Sequence, residues 1–204
     1  MIITTANINL KAGTEEQTLD LFEFILIITS VIYALAVAQI LSGISRLAQT
    51  PTAIRSYIAH TLWVIFFFLF IFLIWWATWE FRSVAWTFPQ YGYMLIAPTL
   101  LFFACSLLIP QRIGDKEVDL EAHFFQVRRP LFWSFLLVSV AIIVDGNILA
   151  DEPIWHRGRI GHVVLLGAAI WGLNTSNRRS HIAIAIIVIL ALSFVALTRF
   201  WFPR

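Results

Sequence analysis

Six apolar runs of helical length, bounded by charge or proline, occupy residues 20–45, 59–80, 92–110, 131–150, 160–174 and 181–202. A helix needs about 20 such residues to cross the roughly 30 Å hydrocarbon layer of a bilayer. Within that layer the backbone must satisfy its own hydrogen bonds, which leaves helices or closed barrels as the options. The runs therefore predict an all-α, polytopic integral membrane protein, a helical bundle of about six transmembrane helices. The 204 residues would form one transmembrane domain, with a polar N-terminal tail over 1–18 and a connection over 111–130. Composition agrees, at 60% hydrophobic and 13% charged, against roughly half and a quarter in soluble domains.

Local signals refine this outline. Thr14 to Gln17 form a T-x-x-Q capping box, which predicts a first helix that begins in water near residue 14 and enters the membrane near Leu21. The tail before it has one basic residue and no short apolar core, so the first run is expected to be its own insertion signal rather than a cleaved leader. The fifth run, IGHVVLLGAAIWGLN, would cover only about 22 Å as a helix, so it is short, begins upstream near Ile154, or is re-entrant. Pro130 suits the first turn of a helix, so residues 116–129 are expected to form a short amphipathic interfacial helix that turns sharply into the fourth span.

The net charge is +2, with fourteen Lys and Arg scattered through short connections. This pattern offers no nucleic-acid-binding face, and the expected surroundings are the lipid bilayer of a cell membrane. With the N-terminus outside, eight basic residues fall inside and six outside, a bias toward that orientation. Cys105, the single cysteine, excludes an internal disulfide or a CxxC metal knuckle and leaves the redox compartment open.

Asp145 is the most informative residue. It follows fourteen mostly apolar residues, and in a helix over 131–150 it would lie about 7 Å from the bilayer midplane. An ionised aspartate there costs about 2.5–3.5 kcal/mol before partners are counted. The alternative is that Asp-Gly-Asn is a turn that ends the helix early. In that case residues 131–144 would cover only about 21 Å, which favours an Asp145 that faces a polar interior. Glu80, Glu23, Arg199 and Gln39 join it as candidates for an ion or proton pathway, since acidic and basic residues share the outer half of the expected topology. Pairing of Asp145 with Arg199, or of Glu80 with Arg82, is the structural alternative.

Other features carry weaker chemistry. Ser30, Ala34, Ala38 and Ser42 recur every four residues, a ladder that predicts close helix packing inside or between subunits. The second run is aromatic almost throughout and ends in Trp75, Trp76, Trp79 and Glu80; this reads as an interfacial belt or as a wall for a pigment, quinone or lipid tail. His60 and His181 fall at inner helix ends and could be haem or metal ligands. The acidic segment Asp115, Glu117, Asp119, Glu121 with His123 reads first as a solvated face and second as a divalent-ion site. The sequence has no HExxH, phosphate loop, GxGxxG, GxSxG or TVGYG-like filter, so no catalytic residue is named and no cofactor is expected.

Three function classes follow. The leading one is a small oligomeric channel or transporter for protons, cations or a small solute. The second is an accessory or scaffolding subunit of a larger membrane complex, a pigment or electron-transfer assembly, with no chemistry of its own. The third is a haem or quinone redox protein, which would make the chain an enzyme.

Overall fold

The computed structural model describes residues 20–49, 54–110, 117–150 and 159–200, except the side chains of Ala150, Arg199 and Phe200. The elements in order are α1 (Leu21–Ala48), β1 (Ile54–Arg55), α2 (Ile58–Ala77) with a 3-10 turn (Thr78–Phe81), α3 (Phe88–Met94) and α4 (Ile96–Leu108). Then come β2 (Val118–Asp119), α5 (Leu120–Ala150), α6 (Ile160–Asn174) and α7 (Arg178–Val195) with a π turn (Ala196–Phe200). The fold is the expected all-α membrane bundle. Five helical stretches are long and apolar enough to cross a membrane, and α6 is shorter.

Chain direction alternates, so the start of α1, the ends of α2, α5 and α7 and the starts of α3 and α6 gather at one end of the bundle. We call this the first end. At α1 the N–H of Asp20 donates to Glu23 at 3.1 Å, satisfying one of the donors a helix start leaves open. The T-x-x-Q box at Thr14–Gln17 lies outside the described residues. A second box of that type does operate: the N–H of Thr87 donates to Gln90 at 2.9 Å, and Pro89 sits in the first turn. The third span therefore starts at Phe88 rather than at residue 92. Pro98 has no N–H for the Met94 carbonyl, and the chain breaks into α3 and α4 at Leu95 between them, as a proline requires of the preceding turn.

Pro130 does not separate an interfacial helix from the fourth span. Leu120–Ala150 is one continuous helix with Pro130 inside it, so the expected sharp turn is absent. One turn on, the Ser134 hydroxyl donates to the Pro130 carbonyl at 2.9 Å. α6 is short, as expected. Arg159 at its start contacts Ile143 and Asn147 of α5, whereas Thr175 at its end receives Arg128 of α5. Its two ends thus meet α5 at points 15 to 19 residues apart, about 22–28 Å along that helix.

The core is aromatic. Trp63 is fully buried and meets Phe66, Phe132 and Phe135 edge to face at ring separations of 5.4, 4.9 and 5.6 Å, the arrangement that ring quadrupoles favour. Trp75, Trp76 and Trp79, farther along α2, are exposed. The second run therefore divides between a buried wall of rings and an outer belt. Backbones approach closely at Gly172, which packs on Phe132, and at Gly43, which packs on Ile109.

The second end is tied together by polar contacts among three connections. β1 and β2 pair in parallel, Ile54 with Val118 and Arg55 with Asp119, and Arg55 bridges Asp119 at 3.2 Å. Arg178 bridges Glu121 at 3.3 Å and lies over the Tyr57 ring, while the Tyr57 hydroxyl donates to the Arg178 carbonyl at 3.2 Å. Arg128 donates to the Thr175 carbonyl and to Ser176.

Candidate functional site

At the first end the bundle is hollow. A cavity of about 290 Å³ is lined by Asp145, Glu80, Tyr33, Thr78, Arg159 and His162, with apolar residues from α2, α4 and α5 completing its wall. That volume accommodates several water molecules. Asp145 reaches it because α5 stays helical through Asp145, Gly146 and Asn147 to Ala150, so the early turn is not taken. Local sequence disfavours helix at Gly146 by about 1 kcal/mol, and neighbouring elements oppose that preference. From α3, the Tyr93 hydroxyl donates to the Ala141 carbonyl at 2.9 Å and Gln90 donates to that of Ile148 at 3.3 Å. From the start of α6, Arg159 donates to the Ile143 carbonyl and, at 3.0 Å, to the Asn147 side chain. Asp145 is bracketed by these four contacts.

The same contacts orient the charges. Two donors of the buried Arg159 serve the Ile143–Asn147 turn, which faces away from Asp145 by the 100° step of a helix. Arg82 turns back to the Trp79 carbonyl at 3.2 Å and stacks over the Trp79 ring. Tyr33 and Thr78, both buried, stand at the cavity wall, where the Thr78 hydroxyl donates to the Ile74 carbonyl at 3.2 Å. The site thus combines two carboxylates with hydroxyl, imidazole and guanidinium groups in one water-sized space.

Of the residues singled out from sequence, the structure brings together Asp145 and Glu80. Glu23 caps α1 instead, and Gln39 is half-buried elsewhere on α1. The Arg199 side chain lies outside the described residues. The small-residue ladder does not pack inside the chain. Ala34, Ala38 and Ser42 are exposed, and Ser30 accepts a 2.8 Å hydrogen bond from Trp75. The face of α1 that is buried carries Phe22, Ile25, Thr29, Tyr33, Ala36, Ile40 and Gly43. Tyr33, Thr78, Arg159 and His162 complete the site; the two hydroxyls were hidden within apolar runs.

At the second end, His60 and His123 lie at the carbonyls of Leu108 and Leu107, at 2.6 and 3.0 Å, and cap the last turn of α4. His181 is buried, lies 3.1 Å from the Thr175 carbonyl, and is enclosed by Phe124, Phe125 and Phe132. Among the described residues, no three His, Cys, Asp or Glu side chains converge as a metal site. The acidic segment is instead used in pairing: Asp119 with Arg55 and Glu121 with Arg178, while Asp115 lies outside the described residues. The Asp119 carboxyl is held below its ordinary range, first by the Ala122 N–H and then by Arg55. Burial pushes the Tyr57 hydroxyl up, with Glu121 adding to that effect and Arg178 opposing it.

No protein-family model, curated protein or solved structure matches the chain.

Proposed function

We propose that this multi-pass membrane protein is a transporter for protons, cations or a small solute, with Asp145 as its ionisable binding group. The observation that carries the reading is the position of Asp145, on a membrane-length helix and facing a cavity of about 290 Å³ with Glu80 and His162. A carboxylate is tolerated at membrane depth where it meets water and polar groups, and paired carboxylates in a low-dielectric hollow concentrate cations. The rings of Trp63, Phe66, Phe67, Phe132 and Phe135 fill the middle of the bundle, which favours a carrier that rearranges over a permanently open pore. The eight-to-six distribution of basic residues supports a cell-membrane protein with the N-terminus and the hollow end outside.

The test is flux in reconstituted vesicles. Wild type is expected to dissipate an imposed pH or cation gradient, and Asp145→Asn to do so several-fold more slowly. Equal rates for the two proteins would overturn the reading.

A second reading, an accessory subunit of a larger membrane complex, draws on outward Trp76, Trp79, Trp133 and Trp171, residues suited to a partner surface as well as to lipid. Stoichiometric copurification with unrelated subunits from the native membrane would favour it.

A further inference from the structure

The polar cavity has an apolar neighbour. A second pocket, of about 80 Å³, is lined by Phe70, Leu73, Leu165, Ala191, Leu192 and Val195. Ile74, Ala77, Ile142 and His162 line both spaces, so a carboxylate-bearing hollow and an aliphatic and aromatic one share a wall of side chains. Small-molecule sites commonly have this form, a mostly apolar wall with a few polar groups that fix orientation.

We propose that the two spaces together bind a small amphiphilic organic cation, an alkylammonium with its head at Asp145 and its tail in the apolar pocket. The proposal rests on the reading of Asp145 as a cation-binding group and adds the class of substrate. Asp145 and Glu80 favour a positive, hydrogen-bond-donating head. The tail is short: a dry cavity of about 150 Å³ holds a benzene ring, and this pocket is about half that size.

The test is calorimetric titration of the full chain in lipid nanodiscs with methyl- through hexylammonium, with empty nanodiscs subtracted. Affinity is expected to rise about fourfold per methylene up to propyl- or butylammonium and then to level off. Leu192→Phe and, independently, Ala191→Leu fill the pocket; each is expected to flatten that slope, with an unaltered thermal midpoint confirming folding. Asp145→Asn is expected to weaken every member of the series alike. A wild-type series without slope, or one whose slope survives both pocket-filling changes, would overturn the proposal. If the slope is absent while Asp145→Asn still slows flux, the amphiphile site fails and the transport reading stands. If the slope is present while Asp145→Asn leaves flux unchanged, the site stands and the transport reading fails.

Discussion

Gly172 of α6 packs so tightly on Phe132 of α5 that a methyl group at position 172 would lie 2.1 Å from the ring. In a membrane, where lipid is as apolar as leucine, close backbone approach of this kind drives helix association. Gly172→Ala is expected to destabilise the bundle by about 1–3 kcal/mol through overpacking. Gly167→Ala, where nothing lies within 4 Å, provides the control and is expected to be neutral or stabilising. Thermal unfolding of the two variants in detergent measures the difference.

Cys105 is buried and is the single cysteine, so the wild type is expected to be silent toward a membrane-impermeant thiol reagent. Asp145→Cys is expected to react, and from one face of the membrane only, because the hollow lies at one end of the bundle. The mass of protein labelled in right-side-out and inverted vesicles reads this directly. Labelling equal to that of wild type would mean that water does not reach position 145.

His60 and His123 share the last turn of α4. Removing His60 leaves the Leu108 carbonyl without the ring that meets it at 2.6 Å. A buried acceptor stripped of its partner costs about 1–3 kcal/mol. His60→Ala is therefore expected to lower the thermal midpoint, with His60→Asn, which retains a donor, recovering part of the loss.

Acid sensitivity should arise at the opposite end from Asp145. The folded Asp119 carboxyl holds its proton less tightly than an ordinary aspartate, whose value is 3.8. Its contribution is fully present above that value and is lost as pH falls through the lower, folded one. The thermal midpoint of wild type, followed downward from pH 6, is expected to fall more steeply than that of Asp119→Asn.

The comparison of pattern with structure divides along what a bilayer makes visible. Helix content was legible, because apolar run length has strong energetic meaning in lipid; the lone carboxylate drew attention to Asp145, which lies half-buried at the cavity wall. The facing of α1 was not. Inside and outside are equally apolar for a membrane helix, so the Ser30, Ala34, Ala38, Ser42 spacing looks the same on a lipid face as on a packed one. The start of the third span is encoded in T-x-x-Q at Thr87–Gln90, the same motif as at Thr14–Gln17. Continuity through Pro130 was not readable locally, since tertiary contacts of His123 and Arg128 before it and of Phe132 with Gly172 after it hold the helix in place. The cavity needed three dimensions: Tyr33, Thr78 and Arg159 are far apart in the chain and meet only when α1, α2 and α6 surround α5.

The unbroken length of α5 has a mechanical meaning. At 31 residues it is a rod of about 46 Å, longer than the hydrocarbon layer is thick, with Asp145 near one tip and Glu121 near the other. A rod with a proline inside it has one weak point: Pro130 removes a backbone hydrogen bond, and bending concentrates there. A shift that a guest imposes on Asp145 is therefore absorbed first at Pro130, which stands between the hollow and the grips of Arg128 on Thr175 and of Glu121 on Arg178.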